Sequence, residues 1–548
     1  MNRDTYPPNL RLLYITAIPI LAVVAASLYM MMRILLFFIT DYLWYEKLLG
    51  VFLLFAEGFI LIHGIGYFLE IYSVIRHKKD LAKSERLTTS LDSYPPVAII
   101  MSSYHEPLDV VENSIITFYN LTYPNKHIYF LDDTRYDIPW GTEEEMERYK
   151  QAVEEICKRI GVDLFRRKWH GAKAGMINDF LDFLDGKEKE GFTFYNFSGK
   201  KREEKEKYIV VFDADQNPFP NFVEPLVAVM EANPHLAFTQ TPQVYTNFEF
   251  NRISRAAGFQ QSIFYEYICE GKSTKGAAFC CGTNVIFRRQ ALMDVGGFDE
   301  TSVTEDFATS LKLHQKKWAT RYLNMAGTFG MGPEDLGGYF KQQFRWALGT
   351  IGLFPKIISH FIQNPFSLTL AQWWEYLLSS TWYFIGFVFF IMMVCPVIYL
   401  FLNVPSYFAK PELYLIMFLP YIVITFMTFY WTLKKRNYHM RDLIEGQILT
   451  FISFPVYMKA ATLALLGIKG TFGITPKSGS RALPLKALWP QIVTGTLCFA
   501  AVVWGINRFI YEQEPVGGIL ANTFWCVYHC FILSMVLYFN YAQEDKNT

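Results

Sequence analysis

Long apolar runs alternate with polar stretches along the chain and divide it into membrane and non-membrane parts. A helix needs about 20 apolar residues to cross the hydrocarbon core of a bilayer. Six stretches reach this length, and they are approximately residues 13–32, 51–74, 381–402, 413–433, 486–506 and 518–540. The first run continues through Met30–Met32 and a second run follows closely, so an uncleaved anchor is predicted rather than a signal peptide. The pattern therefore predicts an α-helical, multi-pass membrane protein.

The polar middle of the chain, residues 75–380, alternates short β-rich runs with helical patterns, which predicts an α/β sheet. The candidate strands are Val97–Met101, Ile128–Leu131, Tyr208–Phe212 and Ala237–Thr239. Each run is continuously apolar, as in a strand that is covered on both faces. The charged segment 186–207 is predicted to be a solvated surface loop.

Two further stretches, residues 338–364 and 438–468, mix charged or amide side chains with aromatic and aliphatic ones at helical spacing. Such amphipathic segments lie in the membrane interface in many proteins. Ordinary core helices show the same periodicity, so the pattern leaves both interpretations open.

Orientation is predicted from the positions of Lys and Arg near the ends of the apolar runs. Basic residues cluster after the second run, at 76–79, and after the fourth, at 434–436, whereas the connections 403–412 and 507–517 contain one basic residue each. This distribution predicts that the two termini and the polar middle region lie in the cytosol.

Composition narrows the choice of partners. The 548 residues include 51 Lys and Arg against 51 Asp and Glu, with 52% hydrophobic and 17% aromatic residues. These values exclude a disordered chain and a basic nucleic-acid binder. The eight cysteines are predicted to be reduced, and the adjacent pair Cys280 and Cys281 lacks the spacing of a zinc site.

Polar clusters follow several of the predicted strands. They are Ser102–Pro107, Asp132–Thr134, Asp213–Asp215 and, further along, Thr304–Asp306. Ligands bind at the carboxyl ends of the strands in an open α/β sheet. Carboxylates one residue apart suit a hard cation such as Mg²⁺, which is held by one or two carboxylates together with substrate phosphates. A pair of solvated turn residues would give the same D-x-D pattern, and it is the repetition of acid pairs that favours a site.

The segment Gln342–Trp346 places Gln342, Arg345 and Trp346 on one helical face. An arginine there can bind a diphosphate with two hydrogen bonds, and an indole ring can stack on a sugar. An interfacial anchor has the same composition, with Trp at the level of the lipid headgroups and Arg extended towards water. Spacing alone leaves both interpretations open.

In order along the chain, these motifs resemble those of the processive family-two glycosyltransferases of the bacterial cellulose synthase type. That family's pattern is D, DxD, TED and QxxRW. Smaller matches are Ser103–Pro107 to its S-Y-N-E-P, Ala172–Gly175 to its A-K-A-G, Phe279–Thr283 to its F-F-C-G-S/T, and Phe472–Lys477 to its F-x-V-T-x-K gating loop.

The resemblance implies a cytosolic α/β domain of the glycosyltransferase-A fold between about six transmembrane helices and additional interfacial helices. It implies transfer of glucose from UDP-glucose, with Mg²⁺ or Mn²⁺, to a nascent β-glucan chain that crosses the membrane, with an extracytoplasmic accessory subunit as a further partner. The implied parts are a transmembrane pair at 1–75, the glycosyltransferase domain at 76–337, interfacial helices at 338–380, a transmembrane pair at 381–433, an interfacial helix and gating loop at 434–484, and a transmembrane pair at 485–548.

The resemblance also implies roles for individual residues. The implied UDP-binding residues are Tyr104, Glu106, Asp132, Lys173, Asp213, Gln342, Arg345, Phe472 and Thr475. The implied acceptor-binding residues are Trp346, Cys281 and Gly282, and the implied metal ligands are Asp213 and Asp215. The implied catalytic residues are Thr304, Glu305 and Asp306, with Asp306 as the general base.

The chain departs from the family pattern at His105 in place of Asn, at Thr134 in place of Gly, and at Pro476 within the gating loop. It runs about eight residues past its last apolar stretch, so regulation by a cyclic-di-GMP-sensing domain in cis is not expected.

Linkage stays open. The resemblance favours β-1,4-glucan, with a 1,3- or mixed 1,3;1,4-glucan and a chitin- or hyaluronan-type product from UDP-N-acetylglucosamine as alternatives. A lipid-linked sugar transferase would lack QxxRW and the gating loop. A transporter with a regulatory domain is disfavoured by an expected absence of charged residues inside the spans.

Overall fold

A computed structural model describes residues 8–77, 91–201, 204–407, 411–434, 438–468, 481–512 and 516–541. The predicted gating-loop residues Phe472 and Thr475 lie outside these ranges.

An eight-stranded, mostly parallel sheet forms the centre of the polar region. Its strands, with three short strands of a second sheet, are β1 (Val97–Ser103), β2 (Lys126–Asp132), β3 (Asp163–Arg166), β4 (Thr193–Tyr195), β5 (Tyr208–Asp213), β6 (Asn217–Pro218), β7 (Leu236–Gln240), β8 (Val244–Tyr245), β9 (Val285–Arg288), β10 (Ala319–Tyr322) and β11 (Thr328–Gly330). The large sheet has the order β10-β7-β9-β5-β1-β2-β3-β4, and the small one the order β6-β11-β8. Strand β9 is antiparallel to both of its neighbours, and β4 is antiparallel to β3.

Helices cover both faces of the large sheet, as the continuous apolar strands require. The helices of this region are α3 (Leu108–Tyr119), α4 (Glu143–Ile160), α5 (Ala172–Leu184), α6 (Val223–Ala232), α7 (Arg252–Ile263), α8 (Glu270–Thr274), α9 (Arg289–Asp294) and α10 (Glu305–Gln315). One face packs on α3, α4 and α6, and the other packs on α5, α9 and α10. Within β1, Ile99 contributes to the first core and Ile100 to the second, so neither face is left to solvent.

The four strands predicted from the sequence are confirmed, each one to three residues longer than predicted. The prediction for 186–207 is wrong in part. Within it, β4 pairs with β3, and the carboxylate of Glu206 is buried where it accepts a hydrogen bond from Tyr129 at 2.8 Å. The edge strand β4 was not predicted because charged residues flank it and because three residues are too few to show the alternation of a β-strand.

Within the described residues, six helical segments are long and apolar enough to cross a membrane, as the sequence predicts. The helices that form them and the remaining helices are α1 (Pro8–Ile39), α2 (Trp44–Arg76), α11 (Leu336–Gln363), α12 (Leu370–Thr381), α13 (Ile385–Leu402), α14 (Pro411–Lys434), α15 (Met440–Ile452), α16 (Phe454–Leu465), α17 (Trp489–Tyr511) and α18 (Val516–Asn540). The third candidate span is longer than predicted, because α12 and α13 follow one another from Leu370 to Leu402.

The amphipathic stretch 438–468 forms the pair α15 and α16, which bends by 48° at Ser453 and together is apolar enough for a broken span or a re-entrant segment. Much of α15 is buried against α7 and α18. The stretch therefore contributes to a packed core.

Charged residues do occur inside the candidate spans, so the expectation that they are absent is wrong. In α2, Glu57 accepts a hydrogen bond from Arg33 of α1 at 2.6 Å, and Glu70 lies further along the same helix. The Arg33 guanidinium also lies 3.9 Å from the centre of the Tyr407 ring. Pairing with an opposite charge is what allows ionised groups to persist away from water.

Candidate active site

Strand register gathers the predicted polar clusters at one edge of the large sheet. Ser103 at the end of β1 lies opposite Asp132 of β2, and Ser102 lies opposite Asp213 of β5. Because these strands are parallel, all three of their carboxyl ends open on the same side. The predicted convergence of acidic side chains is therefore present.

Lys173 lies in the first turn of α5 and connects two of the predicted motifs. Its ammonium group donates to Asp213 Oδ1 and, at 2.7 Å, to the carbonyl of Gly282. Burial alone would lower the pKa of Lys173, but the carboxylates of Asp213 and Glu305 raise it above its ordinary value. This ammonium group offsets the repulsion between carboxylates that clustering creates.

Thr304, Glu305 and Asp306 form the start of α10. Asp306 Oδ1 accepts the backbone N–H of Phe307 at 2.7 Å, which fixes the orientation of the carboxylate. Burial and the adjacent carboxylate of Glu305 raise the pKa of Asp306 to about 7. Burial also raises the pKa of Glu305, although Lys173 acts in the opposite direction. A carboxylate with a pKa near neutrality is suited to general base catalysis.

The segment Ala277–Thr283, which we name the acceptor loop after its predicted role, faces this carboxylate. Gly282 has φ +85°, and a Cβ at this position would lie 3.1 Å from Asp306 Oδ2. The backbone N–H of Cys281 donates to Gln240 Oε1 at 2.8 Å. Glycine is favoured here both by the left-handed backbone and by the need for open space beside Asp306.

Helix α11 approaches the same region from the membrane side. Gln342, Arg345 and Trp346 are half-buried, and the Gln342 side chain lies 3.4 Å from the Tyr245 hydroxyl, to which it donates. The positive charge of Arg345 acts on Glu305 and favours its ionised form. Further along α11, a Cβ on Gly349 would lie 2.5 Å from the Thr304 side chain. Helix α11 is therefore in close contact with the turn Thr304–Asp306, which we name the catalytic turn after its predicted role.

Asp132 and Asp133, at the end of β2, are both buried and each is paired with an arginine. Asp132 Oδ2 accepts from Arg166 Nε at 2.7 Å and from the Tyr136 hydroxyl at 2.9 Å. Asp133 Oδ1 accepts from Arg167 at 3.0 Å. Burial raises the pKa of Asp133 to about 7 in spite of this arginine. Tyr104 and Glu106 follow β1 at the same edge of the sheet.

Two of the departures from the family pattern lie in contact. The backbone N–H of His105 donates to the hydroxyl of Thr134 at 3.0 Å. His105 has φ +51°, and its ring lies 3.6 Å, centre to centre, from that of Trp140. The two substitutions therefore belong to one local arrangement beside Asp132.

Two known protein families match the part of the chain that forms this site. Residues 98–296 match the family described as Glycosyl transferase family 2, and residues 208–432 match the family described as Glycosyl transferase family group 2. Residues 98–432 of this chain are thus similar to family 2 glycosyltransferases. The two matches together include β1, β2 and β5, the catalytic turn and α11, so the site elements described above lie within the matched residues.

Individual curated relatives match most of the length of this chain. It is 25% identical over 94% of the chain to a cellulose synthase catalytic subunit [UDP-forming] of Pseudomonas fluorescens, of which the match covers 66%. It is 27% identical over 92% of the chain to a protein of the same description from Komagataeibacter sucrofermentans, of which 62% is covered. A putative cellulose synthase 2 of Komagataeibacter xylinus is 26% identical over 89% of this chain and 30% of its own length. The chain thus spans between 30% and 66% of these curated relatives.

Among solved structures, a mannosyltransferase from Pyrobaculum calidifontis in complex with GDP-Man and Mn²⁺ aligns with a TM-score of 0.44 and 14% identity, over 74% of this chain and 100% of that one.

The basic partners of these carboxylates were not predicted from the sequence. Arg166 is the last residue of β3 and Arg167 follows it, and the parallel register of β2 and β3 places Arg166 directly opposite Asp132. Strand β3 was itself not among the predicted strands, so its basic pair could not be placed beside Asp132. The bond from Lys173 to the Gly282 carbonyl, which connects positions 109 residues apart, also had no signal in the sequence.

Proposed function

We propose that this chain is a processive, inverting β-glucan synthase. It transfers glucose from UDP-glucose to the end of a growing polysaccharide, by default with a β-1,4 linkage, and moves the polymer across the membrane. The similarity to cellulose synthases along most of the chain supports this proposal.

One observation carries the proposal. The Asp306 carboxylate faces Gly282 of the acceptor loop, while Lys173 joins that loop to Asp213 at the end of β5. A predicted base, a predicted donor-binding carboxylate and a predicted acceptor surface thus share one small volume. Helix α11 leads from it towards the apolar helices.

The donor is proposed to lie across the carboxyl ends of β1, β2 and β5. Tyr104, Glu106 and Asp132 would contact the uracil end of UDP. Lys173, Gln342 and Arg345 would meet the diphosphate, since a cation and a guanidinium stabilise the charge that develops on the leaving group. Phe472 and Thr475 of the gating loop would close over the nucleotide.

A divalent cation is proposed at Asp213 and Asp215. No group of three or more His, Cys, Asp or Glu side chains suited to a metal ion occurs in the ranges that the structure describes. Two carboxylates would leave the remaining positions to phosphate and water, an arrangement that fits Mg²⁺ and also Mn²⁺. The Asp213 side chain is 42% exposed, so the carboxylate is accessible from the cleft. When bound, the cation would neutralise charge on the diphosphate.

In the proposed reaction, the acceptor hydroxyl oxygen attacks the anomeric carbon of the donor, and the carbon–oxygen bond to UDP breaks with inversion. Asp306 accepts the proton of that hydroxyl, and the rigid support from the Phe307 N–H keeps its carboxylate in place. General base catalysis of this kind contributes about 10²–10⁴-fold in rate. Thr304 and Glu305 hold the turn, and Trp346, Cys281 and Gly282 contact the acceptor sugar.

The proposed location is the plasma membrane, with both termini and the glycosyltransferase domain in the cytosol. UDP-glucose would then reach the site from the cytosol, and the glucan would leave through the membrane helices. An extracytoplasmic accessory subunit would receive it on the other side.

The deciding experiment uses the full-length protein reconstituted in lipid nanodiscs with Mg²⁺ and radiolabelled UDP-glucose or UDP-N-acetylglucosamine. We expect a polymer of high molecular weight from UDP-glucose only, and digestion with β-1,4-specific glucanase should degrade it. Digestion only by a 1,3- or mixed-linkage glucanase would correct the linkage, and polymer from UDP-N-acetylglucosamine alone would refute the donor.

The variant Asp306→Asn tests the proposed base. We expect it to bind UDP with nearly unchanged affinity in calorimetry while forming no polymer. Polymer synthesis near the wild-type rate would remove Asp306 from the mechanism.

A further inference from the structure

Four charged side chains meet where α2 and α12 contact the glycosyltransferase domain. We name Glu70, Lys272, Lys275 and Glu375 the charge clamp. Lys275 donates to Glu70 at 2.9 Å and to Glu375 at 2.7 Å, and Lys272 donates to Glu375 at 2.9 Å. All four side chains are at most 18% exposed. Two acidic and two lysine side chains are therefore joined by hydrogen bonds out of contact with bulk water.

The backbone that carries the two lysines is held from both sides. A Cβ on Gly271 would lie only 1.8 Å from a Glu70 carboxylate oxygen, so α2 approaches this backbone very closely. The hydroxyls of Ser73 and Thr274 lie 2.5 Å apart. From α12, the Gln372 amide donates to the Gly276 carbonyl at 2.8 Å. Segment 270–276 is thus fixed between two candidate membrane helices.

Net stability is a weak reason for such a cluster. Removing charges from water costs several kcal/mol per ion. The attraction between oppositely charged partners offsets this desolvation cost only when their hydrogen-bond geometry is good. Removing one partner, by contrast, leaves the others uncompensated. A cluster of this kind defines position more effectively than it adds stability.

The segment leads directly into the acceptor loop. Within six residues of Gly276, Cys280 N–H donates to Ser310 Oγ at 2.8 Å, and Gly282 reaches its position beside Asp306. The loop is therefore held at its far end by Lys173 and α10, and at its near end by the charge clamp. A displacement of α2 or α12 would shift the near end.

We propose that the charge clamp positions the acceptor loop for the reaction and couples the membrane helices α2 and α12 to it. Glu70, Lys272, Lys275 and Glu375 act as positioning residues, because they reach the reacting groups only through the loop. The inference rests on the proposed function and adds to it a group of residues that determines how the acceptor is held.

The test compares Lys275→Met, Lys275→Arg and the isosteric Glu70→Gln in full-length protein in nanodiscs. In Lys275→Met we expect the polymer-forming kcat to fall by at least about tenfold, because small displacements of reacting groups have effects of this size. The KM for UDP-glucose should stay within about twofold, because the donor contacts are intact. Lys275→Arg should recover most of the activity, and the polymers from Lys275→Met should be shorter.

Hydrogen exchange measured by mass spectrometry, with no sugar nucleotide present, tests the positioning without relying on the reaction. Amides of 277–283 should exchange faster in Lys275→Met and Glu70→Gln, while β1 and β5 stay unchanged. Should Lys275→Met fail to fold, Glu70→Gln alone decides. Unchanged exchange in 277–283 overturns the inference, even if the protein proves to use another donor.

Arg289→Met provides the matched control. Arg289 is also buried, and its guanidinium group lies 2.5 Å from Asp185 Oδ1. This pair does not contact the acceptor loop. We expect this variant to lose stability but to keep wild-type exchange in 277–283 and wild-type polymer length. The same loop exchange and polymer length as in Lys275→Met would show general destabilisation and would overturn the inference.

Discussion

At the scale of the residue, Asp306 connects geometry with a measurable pH dependence. Its pKa is raised to about 7 by burial and by Glu305, so the basic form disappears as the pH falls through neutrality. We predict that kcat/KM, which reports on the free enzyme, rises through about pH 7 and then levels off. A midpoint near pH 4, the ordinary value for an aspartate, would contradict this assignment.

Asp133 has a similarly raised pKa, of about 7, and must be distinguished from Asp306. Because the Asp133 carboxylate pairs with Arg167 and has no proposed contact with the acceptor, Asp133→Asn should change stability but leave the midpoint of the pH profile in place.

A second prediction at this scale concerns Thr134, whose hydroxyl accepts the backbone N–H of His105 at 3.0 Å. Thr134→Val keeps the shape of the side chain but leaves this partly buried donor without its acceptor, at a cost of about 1 kcal/mol. We expect a lower melting temperature and weaker UDP binding in calorimetry. Thr134→Ser keeps the hydroxyl and should behave as wild type, and equal effects of the two substitutions would refute the explanation.

At the scale of the element, the contact between α11 and the catalytic turn is controlled by one glycine. A Cβ on Gly349 would lie 2.5 Å from Thr304, whereas one on Gly352 would meet nothing within 4 Å. Both substitutions by Ala favour the helix by about 1 kcal/mol. We predict that Gly349→Ala lowers polymer-forming kcat by at least about tenfold through displacement of Asp306, and that Gly352→Ala does not. Equal turnover in the two variants would show that this contact has no catalytic role.

Elements with strong hydrophobic patterns were predictable, and interactions across long distances were not. The continuous apolar runs predict β1, β2, β5 and β7, and the six long apolar stretches predict the candidate spans. Strand β4 was missed because three residues carry no period. The charge clamp was missed for a different reason. Glu70 and Glu375 are single polar residues in apolar helices, and Lys272 and Lys275 read as ordinary surface charges until the fold brings them together.

At the scale of the whole molecule, orientation in the membrane remains a prediction from the basic residues. Asp41, which follows α1, is exposed, and the Lys187 side chain of the α/β domain is 57% exposed. In intact cells, an impermeant maleimide should label Asp41→Cys, whereas Lys187→Cys should react only after permeabilisation. The wild-type chain, whose eight free cysteines are buried or half-buried, provides the background. Labelling of both variants from outside would refute the proposed orientation.

The charge clamp also has a consequence for how the sequence can evolve. Replacing any one of these residues leaves a buried ionisable side chain without its partner; they are Glu70, Lys272, Lys275 and Glu375. A single substitution at one of these positions is therefore not expected to be selectively neutral. These four positions, spread over 305 residues of chain, should therefore covary among descendants of a common ancestor. A lineage that loses one charge is expected to have lost its partner as well, and Gly271 should persist only where Glu70 does.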